Sequence, residues 1–167
     1  MRDHQVLLKY IAFQNFLPDY RGNLKAFLDE TCNIFNQNWE QDKDKVQRTV
    51  QQFEEAVSLT IKIFGQHDFA KIWSADRQKY ENRRNLSVLE IMLFYFSDEI
   101  VKKRVQELDQ TQIKTAFNNL CSSTPDFIAS LRSATNTRKN TYGRLFVWGK
   151  TLKDVLAIDF YIPELSE

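Results

Sequence analysis

The residues of this sequence best suited to chemistry are basic, and two of them directly precede the expected start of a helix. Arg83 and Arg84 are followed by Asn85, whose side-chain oxygen can accept from the free amides of a first helical turn. Because arginines and helix amides both suit anions, Arg83 and Arg84 are candidate phosphate ligands. The alternative is an ion pair with Glu81 or Glu90, and both interpretations stay open.

A second group of basic residues lies near the end of the chain. Between residues 138 and 153 there are five basic side chains and no acidic one, whereas residues 154–167 carry four acids and no base. A solvated helix face is the ordinary explanation, and a phosphate-binding patch is the alternative. The candidate residues of that patch are Arg138, Lys139, Arg144 and Lys150, with Lys153 beside them. The net charge of +1 excludes nucleic-acid binding by the charge of the whole chain.

No catalytic or metal-binding motif is present in the sequence. The four glycines are scattered, so there is no glycine-rich phosphate loop, and no pair of His or Cys residues has metal-ligand spacing. His4 and His67 are isolated, and we expect them to be surface or capping residues. Cys32 and Cys121 are expected to be small buried hydrophobic residues in a reducing cytosol. We therefore expect a cytoplasmic protein that is not an enzyme and needs no cofactor or metal.

The elements that must position the basic residues are helices. Thirteen Phe, six Tyr and three Trp accompany only four Gly and three Pro, which favours long helices packed by large side chains. A length of 167 residues fits one domain. The longest apolar run, residues 88–96, contains Glu90 and is too short to span a bilayer. We predict a single all-α, bundle-like domain of about seven or eight helices, with no membrane segment.

The predicted domain divides into four parts. Residues 1–64 form three helices, residues 65–85 a connector, residues 86–157 the central and C-terminal helices, and residues 158–167 a tail. Gly65 is expected to end the third helix, because only glycine enters the left-handed C′ conformation without a steric cost. Asn85 then begins the central helix, which is apolar on nearly every side and should be the buried centre. Phe69 is expected to anchor the connector to the core.

The third helix carries an apolar repeat with steps of four and three residues, the pattern of a coiled-coil seam. The residues of this seam are Val46, Val50, Phe53, Val57, Thr60 and Phe64. We expect the seam to pack inside the chain's own bundle. A partner helix bound to the same seam is the alternative.

Five segments follow one another in a recognisable order and spacing. They are Leu7–Phe13, Tyr20–Asp29, Phe53–Ala56, Ile63–Gly65 with Phe69, and Arg84–Glu90. Together they resemble the helical, C-terminal region of the GmrSD-like restriction family over nearly the whole chain. Proteins of that family join a ParB-like nucleotide-binding domain to an α-helical region. The Asp-Gly-Gln-Gln-Arg motif of the nucleotide-binding domain and the His-Asn-His nuclease domain of many members have no counterpart in this sequence.

The resemblance implies a non-catalytic helical module of a prokaryotic DNA restriction or phage-defence protein. Its expected partner is a ParB-like nucleotide-binding domain or subunit, and it would transmit nucleotide state or help to hold DNA through Arg83, Arg84 and residues 138–153. Whether the chain is a fragment, a split subunit or a complete product stays open. The alternative is a protein–protein interaction domain without a nucleic-acid role, which would use an exposed seam on the third helix.

Overall fold

The computed structural model describes residues 2–165, with side chains described from His4 to Leu165. Eight α-helices, one short 3-10 helix (Leu17–Asp19) and one short hairpin form within these residues. The prediction of an all-α domain with seven or eight helices is confirmed. The elements are α1 (Arg2–Phe16), α2 (Leu24–Gln37), α3 (Trp39–Phe64), β1 (Trp73–Ser74), β2 (Lys79–Tyr80), α4 (Leu86–Phe96), α5 (Glu99–Glu107), α6 (Gln110–Ser123), α7 (Pro125–Arg132) and α8 (Arg138–Leu156).

Helix α4 lies at the centre of the fold. It contacts α1 and α3, which with α2 form one group of helices, and α7 and α8, which with α6 form another. Seven of its eleven residues are buried, among them Ile91, Met92 and Phe96. Each fully buried side chain of this size contributes roughly 1.5–3 kcal/mol to folding. Of the other four residues, three are half-buried, and Leu86 at the first position of the helix is 56% exposed.

The seam of α3 packs inside the chain's own bundle, as predicted. Thr60 and Phe64 are buried, and the other four seam residues are half-buried against the core. The most buried stripe of α3 lies beside the seam, at Thr49, Ala56 and Ile63. This shift follows from the neighbours of α3, which contacts α1, α2, α4 and α6 along its length instead of one parallel partner.

The connector forms an ordered hairpin that the aperiodic sequence did not indicate. Strands β1 and β2 are antiparallel, with Trp73 opposite Tyr80. The Tyr80 hydroxyl donates to the Asn118 side chain at 2.6 Å, and β1 contacts α6. Phe69 is half-buried against the core, as expected for an anchor. The hairpin therefore fixes the connector to the second group of helices.

The two residues expected to bound the connector behave as predicted. Gly65 has φ +89°, a value that favours glycine, and its N–H donates to the Ile61 carbonyl at 2.7 Å. The Asn85 side chain accepts from the amides of Ser87 and Val88 at 2.8 and 3.0 Å. It also donates to the Leu131 carbonyl at 2.8 Å. The start of α4 is thus tied to the end of α7.

Helix α8 and the tail close the other side of α4. The Tyr95 hydroxyl donates to the Leu145 carbonyl at 2.7 Å and fills the space above Gly149, where an added Cβ would overlap it. Residues 157–165 form no helix or strand, and the Phe160 ring packs edge-on against Tyr95 with centroids 5.6 Å apart. No helix within residues 2–165 is both long and apolar enough to cross a membrane.

Candidate phosphate-binding cleft

A polar cleft opens between the turn after α3 and the residues that precede α4. Its volume is about 670 Å³. We call it the connector cleft, and its lining residues are Gln66, His67, Lys71, Asn82, Arg83 and Arg84. The two arginines singled out from the sequence are therefore brought together with a lysine and a histidine that the sequence did not indicate.

Backbone hydrogen bonds hold the two ends of the connector together and so shape the cleft. After Gly65 the chain makes a tight turn, in which the Phe69 amide donates to the Gly65 carbonyl at 3.0 Å. At the other end, the Asn85 amide donates to the Ala70 carbonyl at 2.7 Å. This last bond places Arg84, two residues before α4, beside the turn that precedes Lys71.

Lys71 is the least expected member of the cleft. Only 7% of its side chain is exposed, although it carries a positive charge. Its Nζ lies 4.0 Å from the Asp68 carboxylate and 3.5 Å from His67 Nδ1, and that same nitrogen is 2.9 Å from Asp68. An ammonium group has three protons to donate, and burial without close partners is unfavourable. Lys71 therefore has donor capacity left for an anion in the cleft.

The two arginines differ in how firmly they are held. The Arg84 guanidinium lies 4.3 Å from the centroid of the Phe69 ring and donates to the Gln66 carbonyl at 3.3 Å. Stacking of this kind orients the planar group and leaves most of its five N–H donors free. Arg83 is exposed and makes no hydrogen bond or ion pair with any described residue. Both arginines can therefore donate to a ligand.

The ion pairs considered as the alternative for these arginines do not form. Glu81 pairs with Arg132, at the end of α7. Glu90 pairs with Lys9 and Arg144 inside the bundle. Both acids are thus occupied elsewhere, and the carboxylate that pairs with a cation of the cleft is that of Asp68, 4.0 Å from Lys71 Nζ.

Arg144, a member of the second group of candidate phosphate ligands, is fully buried. Its Nε donates to the Glu90 carboxylate at 2.8 Å and its Nη1 to the Thr135 carbonyl at 2.7 Å, while Nη2 also contacts Glu90. A side chain in this position cannot reach a DNA phosphate, so its prediction as a phosphate ligand is wrong. Arg144 lies four residues before Trp148, so the helical repeat puts both side chains on the inner face of α8. This spacing could have indicated that Arg144 is buried.

The remaining basic residues of α8 do not form one patch. Arg138 is half-buried, with its guanidinium 5.6 Å from the centroid of the Tyr142 ring. Lys153 pairs with Asp159 at 2.5 Å. Lys139 and Lys150 are exposed, and a separation of eleven residues puts them on one face of the helix, about 16 Å apart. Two isolated surface lysines are a weaker anion site than the connector cleft.

Groups that could hold a metal ion do not occur in the described chain. No three or more His, Cys, Asp or Glu side chains come together within residues 4–165. Cys121 is buried and Cys32 half-buried, and both are free thiols.

Comparisons with known proteins supply no relative from which to transfer a function. No family model matches the sequence, no curated protein matches it, and no solved structure matches the fold. A function must therefore be inferred from the geometry of the connector cleft and from the sequence segments that carry the resemblance.

Proposed function

We propose that this chain is a non-catalytic helical module of a prokaryotic DNA restriction or phage-defence protein, and that it contacts DNA phosphates through the connector cleft. The resemblance of the five sequence segments supports the first half of the proposal. The cleft supports the second half, since it groups Lys71, Arg83 and Arg84 around one open, polar space. In this role the module works in the cytoplasm and packs against a ParB-like nucleotide-binding domain or subunit.

The chemistry of the cleft suits a phosphate group. Three cations line it, and the Asp68 carboxylate, which lies 4.0 Å from Lys71 Nζ, is also 2.9 Å from His67 Nδ1. Arginine side chains present paired N–H groups that match two phosphate oxygens, and Lys71 adds a point charge from a buried position. The amides at the start of α4 do not contribute, because the Asn85 side chain already accepts from Ser87 and Val88. Binding would therefore depend on the side chains.

The structure gives less support to a general protein-interaction domain. That alternative requires the seam of α3 to be an exposed surface, and the seam is packed against the core. Large apolar side chains that remain exposed, such as Trp39 and Ile100, are ordinary when they occur singly on a protein surface.

Fluorescence anisotropy of a labelled DNA duplex, titrated with the chain at several salt concentrations, tests the proposal. The double variant Arg83→Gln/Arg84→Gln should weaken binding, and the slope of log K against log salt should fall by about 0.9 for each phosphate that is no longer neutralised. The matched control is Arg48→Gln/Lys62→Gln. It removes the same charge from exposed positions on α3.

Two results would contradict the phosphate role. In the first, the control variant weakens binding as much as the cleft variant, which would mean that only total charge matters. In the second, the unaltered chain binds no DNA even at low salt. Weaker binding confined to the cleft variant, together with a reduced salt slope, supports contact between these arginines and phosphate groups.

A further inference from the structure

A second pocket, unrelated to the connector cleft, lies between α1, α2, α4 and the loop before α8. Its volume is about 290 Å³, at the lower end of the range of small-molecule sites. Its walls are largely apolar and include Phe13, Leu24, Leu28 and Leu93. Leu86, the large apolar side chain that α4 leaves more than half exposed, also lines it. We call this space the α1–α4 pocket.

The apolar walls of the pocket are interrupted by charged side chains. Lys9 and Glu90 both line it, and Lys9 Nζ lies 2.5 Å from Glu90 Oε2. The same ammonium donates to the Asn136 side chain at 3.3 Å and lies 5.2 Å from the centroid of the Phe13 ring. The Lys9 side chain is 19% exposed, so its ammonium group is only partly solvated.

The charges around Lys9 do not balance. Glu90 is the only carboxylate that contacts Lys9 or Arg144 among the described residues, and Arg144 already uses it through two N–H groups. Two cations therefore share one carboxylate, with side-chain exposures of 19%, 0% and 8% for Lys9, Arg144 and Glu90. An excess charge that is largely removed from water is unfavourable unless another group compensates it. An anion that enters the pocket and reaches Lys9 would supply that compensation.

We propose that the α1–α4 pocket binds a small carboxylate with an apolar body, and that Lys9 pairs with the carboxylate. The apolar body packs against the aromatic and leucine side chains and covers Leu86. A single carboxylate matches the single excess charge, whereas a phosphate group would bring more charge than one lysine can balance. This site does not depend on the DNA role of the connector cleft.

The test is an NMR titration of the ¹⁵N-labelled chain with phenylacetate and with its neutral isostere phenylacetamide. Phenylacetate should shift the amide signals of residues that line the pocket, such as Leu86 and Ser87. Its affinity should exceed that of phenylacetamide about tenfold, which is the change expected for one charge-assisted hydrogen bond. In Lys9→Gln the affinity for phenylacetate should fall to that for phenylacetamide. The control Lys62→Gln removes an exposed lysine of α3 and should change neither affinity.

Three results would overturn the proposal: equal affinity for the acid and the amide, signal shifts outside the pocket, and no shifts at millimolar ligand. If Lys9→Gln does not fold, the comparison of acid and amide on the unaltered chain decides the question alone. Leu24→Phe, which fills part of the pocket, should weaken binding of both compounds. Arg83→Gln/Arg84→Gln should bind phenylacetate normally, so failure of the DNA proposal and failure of this one are distinguishable.

Discussion

Replacement of Glu90 by glutamine should destabilise the protein more than any exposed charge change. Glu90 Oε1 accepts two N–H groups from the fully buried Arg144, and Oε2 lies 2.5 Å from Lys9. Glutamine keeps the shape but has one acceptor end and one donor end. Whichever way the amide is turned, an NH₂ group faces a cation, and two positive charges remain without a carboxylate.

The size of the effect follows from the burial of this cluster. Removal of one partner from a buried ion pair costs about 3–5 kcal/mol, because the other charge is left uncompensated. The free energy of unfolding of an ordinary domain is about 5–15 kcal/mol, so Glu90→Gln should remove a large fraction of it. Urea unfolding followed by circular dichroism measures this difference, provided that the slope of free energy against urea is unchanged.

A matched control comes from a pair at the surface. Glu107 lies 3.2 Å from Arg104 and is half exposed, so Glu107→Gln should change the free energy of unfolding by less than about 1 kcal/mol. Lys9→Gln removes the excess cation and keeps the pair of Glu90 with Arg144, so its destabilisation should be well below that of Glu90→Gln. If Glu90→Gln is no more harmful than Glu107→Gln, the claim of an uncompensated buried charge is wrong.

Three further substitutions test packing and burial. Gly149→Ala should destabilise the fold by about 1–3 kcal/mol, because the added methyl group would overlap the buried Tyr95. Gly143→Ala, where nothing lies within 4 Å, should instead stabilise α8 by about 0.5–1 kcal/mol. Thermal or urea unfolding of both variants measures the difference, and equal effects would argue against the close approach at Gly149. Lys71→Met should leave stability unchanged or raise it, because the buried ammonium lies 4.0 Å from the Asp68 carboxylate, too far for a hydrogen bond. The same variant should weaken DNA binding in the anisotropy assay. A destabilised variant with normal DNA affinity would mean that Lys71 is a structural residue.

Local rules predict much of the fold correctly. Gly65 and Asn85 bound the connector because backbone conformation and capping depend on neighbouring residues alone. The burial of α4 follows from an apolar surface that has to be covered by other elements. The hairpin of the connector is not predictable in this way, since strands of two residues are too short to show an alternating pattern.

The candidate sites are harder to predict, because their charged residues depend on distant partners. Arg144 falls within the basic segment expected at the surface, yet it is buried against Glu90, which lies 54 residues earlier in the chain. Nothing in the immediate sequence of Lys71 indicates that this lysine is buried. Arg83 and Arg84 are exposed, as expected for a polar segment before a helix start. Sequence spacing therefore locates the helices better than it locates the charges.

The two proposed sites are lined by residues that are neighbours in sequence at the start of α4, but they share no lining residue, so their tests are independent. Arg83 and Arg84 precede the helix and line the connector cleft, whereas Leu86 and Glu90 line the α1–α4 pocket. The cations that define each site come from different elements, because Lys71 lies in the connector and Lys9 in α1. Variants of one site should therefore leave ligand binding at the other unchanged. Parallel weakening at both sites would mean instead that the first turn of α4 had moved, and neither ligand could then be assigned to its side chains.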